Sequence, residues 1–296
     1  MTARLVRFRQ VDVFTSTPFR GNPLAVVFDA DSLGDDDMRT IARWTNLSET
    51  TFLCTPTDPD ADYRVRIFTP GGELPFAGHP TLGTAHAFIE SGATPRTPGR
   101  LVQQCGVGRI ALRRQADGWA FAAPPARVAP LAEHDYPALE AALRTAAIDF
   151  DAPPCAVDNG APWLVVRLKS ADACIGLAPD PALLEALTRR CGTHGLAAYA
   201  PHPAGGPATF EIRCLMTGGL TGGGLGEDPV TGSANAALAG LLALQQRRPG
   251  PVYTARQGTA IGRDGRIRVE YDDAAGAIWI GGSTVTVVDG TFRLPG

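Results

Sequence analysis

The sequence predicts a strand-dominated α+β protein built as two homologous halves. Three observations carry this. The chain has 296 residues, about twice a usual domain. Short alternating or apolar runs bounded by Gly/Pro-rich turns outnumber helical patterns. Sequence features also recur in the same order. Gly21-Asn-Pro-Leu-Ala-Val-Val-Phe lies over Gly160-Ala-Pro-Trp-Leu-Val-Val-Arg, and Pro80-Thr-Leu-Gly-Thr-Ala-His-Ala lies over Pro229-Val-Thr-Gly-Ser-Ala-Asn-Ala, at offsets of 139 and 149 residues. The helical pattern from Asp36 finds its counterpart in Pro181 to Arg190.

Taken in order, Leu5 to Phe14 alternates through Val6, Phe8, Val11 and Val13 and reads as a strand, followed by a turn from Thr15 to Pro23 and a second strand, Leu24 to Phe28. Asp35-Asp36-Asp37 supplies an N-cap and an acidic first turn to a helix bearing Met38, Ile41, Ala42 and Trp44, which stops near Asn46. Strands are expected at Glu49 to Cys54 and Tyr63 to Phe68, then a buried small-residue helix over Pro80 to Ile89. Further strands fall near Leu101 to Gln104, Arg109 to Leu112 and Trp119 to Ala122. The proline-rich Ala123-Pro-Pro places the junction between a first half, 1–123, to which 281–296 can return, and a second half, 124–280. Trp44, Trp119, Trp163 and Trp279 fall within predicted helix or strand patterns and are expected in the core.

Composition excludes several classes. With 27 Lys+Arg against 30 Asp+Glu, and basic residues gathered in nothing longer than a pair such as Arg113-Arg114, nucleic acid is not expected as a partner. The longest apolar tract, Ala236 to Leu244, is far short of a bilayer span, so no membrane association is expected. The N-terminus lacks the apolar core of a secretory signal, which makes a cytoplasmic location the expectation. Six cysteines stand singly with no CxxC pair, and most read as small buried hydrophobes. His134, His194 and His202 show no metal-ligand spacing, and His86 reads as a core histidine.

In the paired helix starts, a polar residue precedes each proline: His79 in the first half and Asp228 in the second. Helix N-termini present free N–H groups and a positive dipole end, which suits a small carboxylate. The small residues Gly78, Gly83, Gly232 and Ser233 would let a ligand approach the backbone. The same pattern equally suits helices merely begun by a proline, with His79 and Asp228 as caps. Glu49, at the edge of an apolar strand, is either an exposed edge glutamate or, if buried, a candidate general acid/base with a raised pKa. The glycine-rich stretch 217–226 reads as a flexible connection or a moving lid; it lacks the spacing and lysine of a nucleotide-binding loop.

Val11-Asp-Val-Phe-Thr, Gly21-Asn-Pro-Leu-Ala-Val-Val, Asn46-Leu-Ser-Glu-Thr-Thr-Phe, Phe68-Thr-Pro-Gly-Gly-Glu-Leu-Pro-Phe-Ala-Gly-His-Pro-Thr-Leu-Gly and Gly226-Glu-Asp-Pro-Val-Thr-Gly-Ser-Ala closely resemble the PhzF family of phenazine-biosynthesis isomerases, nearly end to end. The resemblance implies a diaminopimelate-epimerase-like fold of two pseudo-symmetric halves, each a curled sheet or barrel around a central helix, with the active site in the cleft between. It also implies Glu49 as acid/base, His79 and Asp228 as substrate-binding residues, and Gly78 and Ser233 as pocket lining. The implied reaction needs no cofactor or metal: a proton shift on a small, amino-acid-like carboxylate, in the family's named member trans-2,3-dihydro-3-hydroxyanthranilate. A homodimer is compatible with it. Related epimerases carry two cysteines at the helix starts, whereas Thr81-Leu82 and Val230-Thr231 stand here, which argues against a two-thiol mechanism. An amino-acid epimerase and a catalytically silent binding protein remain the rival readings.

Overall fold

The computed structural model describes residues 4–218 and 225–294. The chain divides into two compact units, Met1–Ala122 with Gly281–Gly296, and Ala123–Ile280. Among the described residues no helix is long and apolar enough to cross a membrane.

In the first unit the alternating opening becomes β1 (Arg4–Val13), which pairs antiparallel with β2 (Asn22–Val27) on one side and with the C-terminal strand Thr284–Leu294 on the other. A crossover through α1 (Asp35–Thr45) places β3 (Thr50–Cys54) parallel to β2. β4 (Tyr63–Thr69) returns antiparallel to β3 and forms a short hairpin with β5 (Gly72–Leu74). After α2 (Gly78–Glu90), β6 (Arg100–Cys105) runs parallel to β4, and β7 (Gly108–Gln115) and β8 (Gly118–Ala122) continue as a meander.

One helix organises this sheet. α2 packs on β1, β2, β3, β8 and the C-terminal strand, so the sheet curls around it. Its residues Gly78 through Ala85 are buried without a break, which explains the absence of a charged stripe. Gly83 is the point of closest approach. A Cβ there would lie 2.5 Å from Leu24 Cδ2 and 2.9 Å from Val13 Cγ2. Its missing side chain therefore serves helix-to-sheet packing, and the space beside it is filled by Leu24 and Val13 rather than open to a ligand.

α1 covers the outer face of the same sheet with Met38, Ile41 and Ala42, over Phe52 and Phe68. Its N-cap is Gly34, whose N–H is accepted by the Asp37 carboxylate at 3.1 Å, so the acidic run sits inside the first turn instead of capping it. Trp44 departs from the expected core position: it is 76% exposed and meets the edge of Phe292. Six residues beyond Met38, it lies about 120° off the buried stripe of an α-helix.

The second unit repeats the pairing scheme. After β9 (Arg127–Pro130) and α3 (Tyr136–Leu143), β10 (Cys155–Asp158) pairs antiparallel with β9 and with β11 (Trp163–Arg167). A crossover through α4 (Ala171–Ile175) and α5 (Pro181–Arg190) sets β12 (Gly195–Pro201) parallel to β11. β13 (Phe210–Met216) is antiparallel to β12 and takes the short β14 (Gly226–Asp228) at its end. α6 (Gly232–Leu244) leads to β15 (Val252–Gln257), parallel to β13, and then to β16 (Gly265–Asp272). The order from β1 to β7, with four antiparallel pairings, two parallel pairings and a buried helix of thirteen residues, thus recurs from β10 to β16. α6 packs on β10, β11 and β16, so this sheet also curls around its helix, whose face of Ala, Gly and Leu permits close approach.

The outer layer of α3, α4 and α5 buries Leu139, Cys174, Leu184 and Leu187 against Leu164, Val166, Leu196 and Leu215. Two buried polar pairs lie under it. Arg213 forks onto Glu227 (Nη2 to Oε2, 2.7 Å) and donates through Nη1 to the Leu177 carbonyl at 2.6 Å. His202 meets Glu211 at 3.0 Å across the β12–β13 hairpin, with Glu211 fully buried. All six cysteines are free, and four of them are buried.

Candidate active site

Glu49 and His79 are brought together by the parallel crossover. α1 is capped by Asn46 in the left-handed conformation (φ 53°), and three residues later Glu49 immediately precedes β3, which lies beside β2. His79, second residue of α2, is 5% exposed. Its Nε2 lies 3.5 Å from Glu49 Oε2, and the Glu49 side chain is 16% exposed. On the other side of the ring, Nδ1 faces the Asn22 amide at 3.4 Å, in the turn that opens β2.

Burial fixes the state of the imidazole. Burial pushes the His79 pKa down to about 3, opposed only partly by the Pro23 carbonyl that hydrogen-bonds the ring. The ring is therefore neutral at pH 7, and Glu49 faces an imidazole rather than an imidazolium. His79 Nε2 is buried and makes no hydrogen bond among the described residues, an unmet demand that a bound ligand would satisfy. Beneath the pair, a chain of buried polar groups locks α2 to the sheet. Tyr63 donates to Gln103 (3.2 Å), Gln103 to Thr81 (2.9 Å) and Thr84 to Thr51 (3.0 Å).

The second unit gathers Asp228, Gly232 and Ser233. The helix does not open at the proline here: α6 starts at Gly232, three residues after Pro229, whereas Pro80 sits inside the first turn of α2. Gly78 and Gly232 thus correspond as first helical residues, and His79 and Ser233 as second ones. Asp228, closing β14, accepts the Thr231 hydroxyl at 2.6 Å.

Gln257, fully buried at the end of β15, is the hub of this corner. It donates to the Asp228 carbonyl (3.0 Å) and to Thr231 Oγ1 (2.9 Å), and accepts from the Thr231 N–H (3.0 Å) and the Asn235 amide (3.1 Å). Ser233 is gripped from the turn before β11, since Trp163 Nε1 donates to its Oγ at 3.1 Å and Asn159 Nδ2 to its carbonyl at 2.9 Å.

Sequence reasoning did not find Asn22, Gln257, Asn159 or Trp163 as supports of the site. A signal existed for Gln257 alone, an amide at a buried position of the alternating strand Val252–Gln257.

Cys214, distant from the helix starts in sequence, stands opposite Asp228 in the β13–β14 register. Complete burial raises its thiol well above the ordinary range, so it is no thiolate base. His86 bonds Thr286 Oγ1 at 3.1 Å on the far side of α2 and takes no part in the pair. Among the described residues no group of His, Cys, Asp and Glu is arranged to hold a metal ion. Of the glycine-rich stretch 217–226, residues 219–224 lie outside the described residues.

Comparison with known proteins accords with this architecture. The family model described as phenazine biosynthesis-like protein matches residues 11–290. A Schizosaccharomyces pombe protein named antisense-enhancing sequence 1 is 36% identical, over 96% of this chain and 97% of that one. The trans-2,3-dihydro-3-hydroxyanthranilate isomerase of Pseudomonas aeruginosa is 36% identical, over 97% and 99% respectively. The crystal structure of a PhzF-family phenazine biosynthesis protein from Bacillus anthracis superimposes with a TM-score of 0.84 at 23% identity, covering 98% of this chain and 100% of that one. The fold is of the diaminopimelate-epimerase-like class, and the chain belongs to the phenazine biosynthesis-like (PhzC-PhzF) family of isomerases.

Proposed function

We propose that this protein catalyses a cofactor-independent proton shift on a small, amino-acid-like carboxylate, trans-2,3-dihydro-3-hydroxyanthranilate or a close relative of it. Glu49 is the acid/base. His79 and Asp228 bind the substrate, with Gly78, Gly232 and Ser233 at the helix starts as further binding positions. The observation that carries this reading is the approach of Glu49 to a buried, neutral His79 at 3.5 Å.

In the proposed step the Glu49 carboxylate takes a proton from carbon beside an unsaturated system, and the electron pair released enters that system. The resulting carboxylic acid then returns a proton to the other end, so atoms and electrons balance and no oxidant or reductant is needed. A neutral imidazole neighbour suits this cycle. It leaves the carboxyl group able to pass between both protonation states, whereas an imidazolium would hold it ionised. Burial around the pair limits proton loss to water between the two steps.

The test is incubation with trans-2,3-dihydro-3-hydroxyanthranilate in deuterated buffer, followed by NMR and absorbance, with Glu49→Gln beside the wild type. The expected result is a shifted double bond that carries mostly the substrate's own proton and little deuterium, formed about 10²–10⁴-fold more slowly in the variant. Exchange of an α-proton with inversion of an amino acid would assign an epimerase instead. Tight binding without turnover would assign a binding protein. A homodimer in the cytoplasm belongs to the same proposal, and light scattering measures the assembly.

A further inference from the structure

Trp163 is buried at the start of β11, 3% exposed, and is held between β10 and β12 by pairing on both sides. Such a residue ordinarily serves packing. Its one polar atom is nevertheless spent on Ser233, the second residue of α6, through the 3.1 Å hydrogen bond to Oγ.

The direction of that bond has a chemical consequence. An indole N–H only donates, so Ser233 Oγ accepts, and the single hydroxyl proton must point elsewhere. Among the described residues no acceptor takes it. The carbonyl of the same serine is occupied by Asn159, from the same turn, at 2.9 Å. That turn is made possible by Gly160 at φ +98°, a conformation that favours glycine. Both oxygens of Ser233 therefore receive donors from one rigid corner, while its hydroxyl proton and the free N–H groups at the start of α6 remain to be given away.

We infer that Trp163 is a positioning residue that makes the Ser233 hydroxyl a fixed hydrogen-bond donor, so that this position takes a carboxylate oxygen of the ligand. The inference rests on the proposed reading of Ser233 as a substrate-binding residue and names the group it binds.

The test uses 15N-indole-labelled protein, whose four tryptophans, Trp44, Trp119, Trp163 and Trp279, give four indole signals. The signal lost in Trp163→Phe is that of Trp163. In the ligand-free protein it shifts in Ser233→Ala and keeps its hydrogen-bonded position in Ser233→Thr. A signal unmoved by Ser233→Ala overturns the inference.

Titration with anthranilate, a stable carboxylate probe, then moves the same signal in the wild type. Affinity falls about three- to tenfold in Trp163→Phe, the effect of losing one hydrogen bond between neutral groups behind the serine. Ser233→Ala falls at least as far, and the double variant binds no more weakly than Ser233→Ala alone. Additive losses would show that the indole acts through something other than the serine, and failure of anthranilate, 3-hydroxyanthranilate and acetate all to bind would remove the donor assignment. Binding with this coupling but without turnover of trans-2,3-dihydro-3-hydroxyanthranilate refutes the proposed reaction and leaves the role of Trp163 standing.

Discussion

His79 should make this protein acid-labile by a calculable amount. In the unfolded chain a histidine titrates near 6.5, while in the folded protein burial holds His79 at about 3. Between those values the unfolded state binds a proton that the folded state refuses. Stability is thus fully present above pH 6.5 and declines as the pH falls through the window toward 3. From pH 7.5 to 5.0 this one residue should cost about 2 kcal/mol, and over the whole window on the order of 4 kcal/mol. The assay is urea unfolding of the wild type and of His79→Gln, which cannot titrate, at half-unit steps between pH 7.5 and 5.0. The wild-type free energy should fall about 2 kcal/mol further than that of the variant across the range. Parallel profiles would refute the reasoning, since they would mean that the ring is solvated or that the Glu49 carboxylate, 3.5 Å away, stabilises the imidazolium enough to offset burial.

Three further perturbations test the supports of the two units. Gln257→Leu orphans the Thr231 N–H and the Asn235 amide and should lower the unfolding free energy by about 2–4 kcal/mol in urea titrations. His202→Ala leaves the fully buried Glu211 carboxylate without its partner at a cost of about 3–5 kcal/mol, while the double change His202→Leu with Glu211→Leu should recover most of it; calorimetry of the three proteins decides. Gly83→Ala gains about 1 kcal/mol of helix propensity but must displace Leu24 and Val13, so the melting temperature should fall; a rise would show that the space beside Gly83 is open.

Much of the architecture was legible because the two curled sheets leave local marks. The run Pro80 to Ile89, small and nearly uncharged, reads as a buried helix, and it lies in α2, which is buried without a break from Gly78 to Ala85. The turn-proline-strand match of Gly21 with Gly160 falls at the openings of β2 and β11, which occupy the same place in their units. The register of the helix starts was less legible, because the repeated proline falls inside the first turn of α2 but three residues before the start of α6. What a proline shares with its copy is its effect on the local backbone, and that effect fits either position.

The pairing partners could not be read at all where they lie far apart along the chain. Asn22 meets His79, Trp163 meets Ser233 and Gln257 meets Asp228 only after strands have found their neighbours. The His202–Glu211 pair, nine residues apart, depends on a hairpin register that composition does not encode. Trp44 shows the converse: its hydrophobicity argued for the core, but the angle of the helix stripe decided against it.

The seam between β1 and the strand Thr284–Leu294 joins the two ends of the chain across everything that intervenes. During synthesis β1 emerges first, yet its outer partner is made some 270 residues later, roughly 15–50 s at ordinary translation speeds. The first unit to leave the ribosome is therefore the last to be completed, and for that interval β1 exposes an unsatisfied edge. Early folding of Ala123–Ile280 would shorten the effective gap that its partner strand must close. A circular permutant that opens the chain in the exposed 203–206 turn and links the present ends would bring the two strands of the seam together early, and it should refold faster than the natural order.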